Sequence, residues 1–600
     1  MQTTEAILKA MRKMGEKRIP LTRVYRSLYS EDLLLTAYDK IARNKGALTP
    51  GTEKDTVDGM NLDKIRKVAE QLHTGRFKFR PVRRTLIPKK SGGTRPLGVP
   101  NFSEKLVQEA MRMILEAYYE PRFSDNSHGF RPERGCHTAL KHIKEKFIGT
   151  VWFIEGDIKG CFDNIDHDVL MGILSRDNKD QRLLKLIQKC LKAGYMEDWV
   201  YHETYSGTPQ GGIISPLLAN IYLNELDQFI ESELIPKYTR GKARRRNPEY
   251  QKLTREIARC WKVGDKQRIK ELKLKRRQIP STDSNDPEFR RLKYCRYADD
   301  FILGFIGPKK EAEEIKVAIR EFLRERLHLE MSEEKTLITH ARTQQAQFLG
   351  YAIGTIQAND QMTRRAGGTK TRAINGKIRP DIPKGRVDKF AKPYIRLGKP
   401  THQSVLLHCS DAEIIEYFQL RYRGIAEYYK YAANRASLSK LKYVMEIALT
   451  KTLAAKHKTS VRKIYRKYSG RKTVDGRTYK TIQVEVPTKN GSRYIYWGAI
   501  PLKVVKMDRL EPINDQNKDW WKGRTDLVQR LVADKCEVCG ADGNCEVHHI
   551  RKLSDLKRRW KGRKEKPEWV VQMIARQRKT LVVCKKCHRE IHAGKISPNK

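Results

Sequence analysis

The sequence predicts an α+β protein of several domains, and three observations carry that prediction. Its 600 residues exceed what a single hydrophobic core usually organises. Stretches with helical apolar spacing alternate with short runs of β-branched and aromatic residues. The last 65 residues hold five of the 11 cysteines, the texture of a small module stapled by metal.

Composition narrows the function. Lysine and arginine total 122 against 71 acidic residues, a formal charge of +51. Such an excess calls for a polyanionic partner, most simply nucleic acid. No apolar run approaches the roughly 18 residues of a spanning helix, so no membrane partner is expected. Residues 1–17 lack an apolar signal core, so no export is expected either. Six scattered cysteines before residue 410 suit a reducing compartment.

Residues 1–75 read as helices, with Ser30 as an N-cap and Leu33, Leu34, Leu35 and Ile41 on an apolar face. From Phe77 onward, Phe77, Phe79, Val82, Leu86 and Ile87 alternate with basic residues and predict strand. A glycine turn follows in Lys89-Lys90-Ser91-Gly92-Gly93-Thr94-Arg95, a hairpin whose Lys89 and Arg95 could hold phosphates or simply face water. Residues 103–120 form an amphipathic helix through Leu106, Ala110, Met113, Ile114 and Ala117. Val151 to Asp157 reads as a buried strand that delivers a carboxylate at its end, and Phe162 lies in the turn beyond.

Gly207-Thr208-Pro209-Gln210-Gly211-Gly212 is a glycine-rich loop ahead of a helix, a weak signal alone. Residues 237–293 carry 20 Lys and Arg against 7 acidic residues and read as a surface insertion that grips phosphates, or as solvated charged helices. Tyr297-Ala298-Asp299-Asp300 lies between β-formers, which predicts a tight hairpin with two carboxylates at its tip. Such a pair suits hard divalent cations, although a solvated turn has the same sequence. Asp157, Asp299 and Asp300 converging without cationic partners would repel one another unless cations neutralised them.

Residues 311–327 form an amphipathic helix, Lys335 precedes an apolar strand, and Phe348-Leu349-Gly350-Tyr351 reads as a short strand. Residues 359–400, rich in glycine, proline and basic residues, look like a connector. Ser410-Asp411-Ala412-Glu413 has capping-box form and opens a helix through Ile414, Phe418, Ile425, Tyr428 and Tyr429. Its tyrosines are as consistent with core as with base stacking. At the C-terminal end, Cys536, Cys539, Cys584 and Cys587 form two C-x2-C pairs, the spacing of a four-cysteine structural zinc site. His588 and His592, four apart on a helix, share one face with each other and can share a metal, a structural role being the lesser alternative.

Taken together, Phe153-Ile154-Glu155-Gly156-Asp157, Pro209-Gln210-Gly211-Gly212, Tyr297-Ala298-Asp299-Asp300 and Phe348-Leu349-Gly350-Tyr351 stand in the order of the reverse-transcriptase blocks. With the hairpin from Lys89 to Pro100 and the helical region 409–470, the chain resembles the group II intron-encoded proteins. That resemblance implies a right-hand polymerase. An N-terminal helical extension (1–75) would precede fingers and palm with an antiparallel sheet (76–360, insertion 237–293). A helical thumb or maturase domain (361–470), a DNA-binding region (471–530) and a small zinc-containing ββα HNH endonuclease domain (531–600) would follow.

The resemblance also implies roles. Asp157, Asp299 and Asp300 would hold two magnesium ions in catalysis, and Phe162 would stand beneath the sugar. Gln210 would support the incoming nucleotide, Lys89 and Arg95 the triphosphate, and Lys335 the leaving phosphate. His548, His588 and His592 would hold one divalent nuclease cation while His549 deprotonates water, with His548 and His549 able to exchange roles. The family's middle asparagine is missing from Arg578 to Val583, so Thr580 or another residue must stand in, or the nuclease is weakened. The implied partners are group II intron RNA, double-stranded target DNA and dNTPs, in a bacterial cytoplasm or an organellar matrix. Nothing in the residues sets the oligomeric state, a dimer being one option. Two other readings are a splicing maturase with a vestigial polymerase or nuclease, and an intron-free retroelement or phage-defence reverse transcriptase. The intact aspartates argue against the first, and the maturase helices joined to an HNH-like tail with paired cysteines argue against the second.

Overall fold

A computed structural model describes most of residues 3–507, then 526–550, 556, 569–570, 573 and 579–593. Within the first span, residues 45, 89–92, 198–199, 205, 208–211, 284–285, 359–360, 365–367, 369, 372–373, 489–490 and 506 lie outside the description. Lys89 and Gln210 are therefore among the residues not described.

The architecture is mixed α and β with several sheets, as expected. The central one has four antiparallel strands in the order Arg291–Tyr297, Asp300–Ile306, Trp152–Asp157, Ile338–His340. The two middle strands, Asp300–Ile306 and Trp152–Asp157, are largely apolar because both faces of the sheet are covered. Ile154, Leu303 and Phe305 point into a core shared with helices Phe102–Tyr119, Ser215–Phe229 and Lys309–Leu327. Phe153, Cys295 and Ile302 point the other way, toward Ala139, Leu140 and Ile143 of helix Cys136–Lys146.

A second sheet contains the expected hairpin, Val82–Pro88 against Thr94–Val99 with Ile87 opposite Arg95. The strand starts at Val82, later than expected. Phe77 and Phe79 lie outside it and pack edge to face at 5.2 Å, because aromatic burial rather than pleating uses them. In the insertion, helices Pro248–Val263 and Lys266–Gln278 close a small core of Ile257, Ile269 and Leu272. Lys262, Lys266, Arg268, Lys270, Lys275 and Arg277 are exposed on it.

Two further expectations are corrected. Phe348-Leu349-Gly350-Tyr351 is a hairpin turn, not a strand: Phe348 pairs with Tyr351, and Leu349 and Gly350 both take positive φ. The presumed connector is integral, since Ile378–Asp381 pairs with Tyr351–Thr355, and Ile378, Ile382 and Ala391 are core. Strand pairing here needs few apolar residues, which is why the composition misled.

Helix Asp411–Tyr428 does open with a capping box on Ser410 and Glu413. It packs with helices Leu438–Lys456 and Val461–Tyr468 and a three-stranded sheet over 469–498. Gln419 exchanges two hydrogen bonds with the backbone of Gly498, and the Trp497 indole donates to Glu446. The border expected at residue 470 thus falls inside one packed unit. Tyr428 and Tyr429 spend their hydroxyls on the carbonyls of Leu349 and Gly350, a structural use of both rings.

The C-terminal module is a helix, Asp526–Val532, a hairpin of Cys545–His549 and Thr580–Cys584, and a helix, Lys585–Ala593. It docks on the N-terminal region. The Gly59 N–H donates to Val547 and the Val547 N–H donates to Met60, an antiparallel bridge. Among the described residues, no helix is long and apolar enough to cross a membrane.

Candidate active sites

Asp157 and Asp300 are direct cross-strand partners at the end of the central sheet, and Asp299 sits in the turn before Asp300. That turn is tight. Ala298 has φ of +57°, a region non-glycine residues seldom adopt, and a Cβ on Gly129 would lie 2.3 Å from its backbone nitrogen.

Arg296 is what holds the tip in place. Its guanidinium, fully buried, donates to both carboxylate oxygens of the equally buried Asp227, at 2.7 and 2.6 Å. Further bonds reach Asn220 Oδ1 at 3.2 Å and the Ala298 carbonyl at 2.9 Å. Asn220 in turn donates to the Gly129 carbonyl. The one cation near the pair in sequence is thus spent on Asp227. Charge on the aspartates is answered instead by Lys335, whose Nζ lies 2.7 Å from Asp157 Oδ2. The expectation of a triad without a cationic partner is corrected at that one oxygen.

Burial pushes the Asp299 carboxyl up, with the Asp157 charge adding to it. Asp300 is pushed up to about 7 by burial, then by its hydrogen bond with Asp157 and the Asp299 charge. Carboxyls so disposed are short of positive charge, which suits them to a hard cation. Phe162 lies on the short helix Cys161–Asn164, edge to face with Phe130 at 6.1 Å. Arg95 is exposed on its hairpin.

The cysteines meet. Cys536, Cys539, Cys584 and Cys587 bring their sulfurs within 4.8 Å of one another. Cys539 and Cys584 are 3.7 Å apart, close to the edge of about 3.8 Å implied by a tetrahedron with Zn–S bonds near 2.3 Å. Burial raises the Cys536 thiol, but backbone N–H groups of Cys539, Cys584 and Val538 aimed at it bring it to about 7. Cys545 stands apart, buried, with its thiol on the Asp534 carbonyl.

The histidines meet as well, around a residue the sequence did not point to. His548, His588 and His592 place ligand atoms within 4.8 Å of one another and of Asp58. His588 bonds Glu546 through Nδ1 at 2.8 Å, which turns Nε2 inward. That carboxylate–histidine pairing is typical of metal ligands. His548 Nδ1 is buried without a hydrogen-bond partner, as a ligand nitrogen would be. Against burial, His588, the His549 backbone N–H and the His548 charge hold Asp58 well below the carboxylate range.

His549, pushed down to about 4 by burial, is neutral near pH 7, as a base must be. The Tyr38 hydroxyl lies 3.3 Å from its Nε2. Thr580, the suggested stand-in for asparagine, pairs with His549 across the hairpin but receives a hydrogen bond from Arg530. The partner of the His549 ring is therefore Tyr38. Asp58 and Tyr38 were missed because both lie about 500 residues away from the histidines they touch. The only local hint is a lone acid bracketed by Val57 and Met60, both fully buried.

Comparison with known proteins gives the family. The chain is 42% identical to the group II intron-encoded protein LtrA of Lactococcus lactis subsp. cremoris, over 98% of this chain and 99% of that one. It belongs to the group II intron-encoded proteins. The putative COX1/OXI3 intron 1 protein of Saccharomyces cerevisiae is 35% identical over 94% of this chain and 68% of its own length. Protein YkfC of Escherichia coli is 33% identical over 53% and 80%. Family models match residues 87–353 as reverse transcriptase (RNA-dependent DNA polymerase), 377–499 as type II intron maturase and 536–588 as AI2M/AI1M-like HNH endonuclease. This group II intron protein is thus a reverse transcriptase that also carries maturase and HNH endonuclease domains.

Proposed function

We propose that the chain copies its intron RNA into DNA at the Asp157–Asp299–Asp300 site, from a 3′ end that its HNH module produces by nicking double-stranded target DNA. The observation that carries this is the cross-strand pairing of Asp157 with Asp300 beside a turn locked by Arg296. In this reading the central sheet is the palm, the Val82–Val99 hairpin belongs to the fingers, and the helices over 411–468 form the thumb. Two bound magnesium ions would activate the primer hydroxyl and neutralise the leaving pyrophosphate. The three aspartates would seat and orient them, Lys335 would restrain Asp157 until substrate arrives, and Phe162 would stand beneath the sugar. By the family resemblance, Lys89, Arg95 and Gln210 would contact the incoming dNTP.

The maturase role rests on the exposed basic face of Val461–Tyr468, with Arg462, Lys463, Arg466 and Lys467, and on the basic insertion. Both suit RNA phosphates. Zinc in the four-cysteine cluster would be structural. His548, His588 and His592 would seat the nuclease cation, which would supply charge stabilisation at the scissile phosphate, and neutral His549 would accept the proton from the attacking water.

Primer extension on a poly(rA) template tests the first site: Asp299→Ala should abolish it, and equal rates in variant and wild type would sink the polymerase assignment. His549→Ala should abolish nicking and leave primer extension intact.

A further inference from the structure

The nuclease seat has a fourth member that comes from the far end of the chain. Asp58 Oδ2 lies 2.8 Å from His592 Nε2, and its Oδ1 lies 3.4 Å from His588 Nε2 and 3.5 Å from His548 Nδ1. Asp58 lies in a turn ahead of helix Leu62–His73. The segment is pinned by the Gly59–Val547 and Val547–Met60 backbone bonds, and Asp58 Oδ1 also receives the His549 N–H at 2.8 Å. Val57 and Met60, both fully buried, anchor the segment on either side.

From this geometry we propose that Asp58 is the fourth protein ligand of the nuclease cation, and that a DNA phosphate must take its place before the strand is cut. Three nitrogens and one carboxylate oxygen complete a tetrahedral set. Catalytic sites of this kind keep one position for water or substrate, whereas four protein ligands close the site. The buried His548 Nδ1, which makes no hydrogen bond, and the Glu546-oriented His588 show a cage already shaped for a cation. With Asp58 seated and Tyr38 on His549, the docked chain fills the fourth cation position and engages the base. The inference rests on the histidine cluster being the nuclease seat.

The test uses the full-length chain with zinc in its cysteine cluster, titrated with Co2+ and followed by visible d–d absorption. Asp58→Asn keeps an acceptor for the His549 N–H, so the docking should survive, as its melting temperature will show. It should nevertheless raise the Co2+ dissociation constant by about tenfold or more and shift the spectrum away from a four-coordinate form. His592→Ala should do the same. In the wild type, an uncleavable duplex should shift the spectrum while keeping it four-coordinate, as a phosphate oxygen replaces the Asp58 carboxylate, independently of any variant. If Asp58→Asn binds Co2+ as the wild type does while His592→Ala does not, the Asp58 assignment is wrong and the histidine seat stands. If neither variant weakens binding, the histidine seat itself is wrong. A wild-type spectrum unmoved by duplex would overturn the exchange with phosphate.

Discussion

Arg296 offers the sharpest separation of stability from chemistry. Replacing it with methionine leaves Asp227 fully buried with only the Tyr294 hydroxyl as a described side-chain partner, at 2.7 Å. Breaking one side of a buried pair costs about 3–5 kcal/mol, a large share of the roughly 5–15 kcal/mol that stabilises a domain. At about 2–4 °C per kcal/mol for a domain of this size, the reverse-transcriptase transition should fall by roughly 6–20 °C. The double variant Arg296→Met/Asp227→Leu removes both charges and should recover most of that loss, since apolar replacement of a buried ion pair is often neutral or better. Primer extension should not recover with it. The bonds from Arg296 to Asn220 and to the Ala298 carbonyl are gone in both variants, and a misplacement of about 1 Å at a reacting group can cost on the order of 100-fold. Calorimetry and single-turnover extension on the same preparations decide it. A double variant that regains both melting temperature and rate would refute the tether as the positioning device.

Other outcomes follow from the same geometry. Asp300, raised from 3.8 to about 7, keeps its proton in the cation-free fold, so that fold loses stability as pH rises from about 4 to about 7. Cation binding must expel this proton, so the Mg2+ needed for half-maximal extension should climb about tenfold per unit as pH drops below about 7; a flat requirement would count against it. Cys584→Ser, or zinc removal by a chelator, should unfold the C-terminal module in a proteolysis assay while extension persists. Tyr429→Phe deletes the hydroxyl on the Gly350 carbonyl and should cost about 1 kcal/mol in urea unfolding.

The aspartates were legible because each belongs to a local pattern: a strand ending in acid, and an acidic pair between β-formers. The cysteine pairs and the i, i+4 histidines were legible for the same reason. What stayed hidden was everything defined only across the fold. Asp227 looks like any helix acid until it is found under Arg296, and the weakly apolar strand Ile378–Asp381 gains its meaning only from its partner. Asp58 and Tyr38 meet the nuclease histidines through docking, which no spacing rule reaches.

That docking also has a history in each molecule's synthesis. The Asp58 carboxylate waits for a backbone N–H 491 residues further on. At roughly 5–20 residues per second, that is about 25–100 s on the ribosome, ample time for the intervening domains to collapse first. The polymerase is therefore expected to fold before the nuclease, and a chain released short of Cys536 lacks the HNH module.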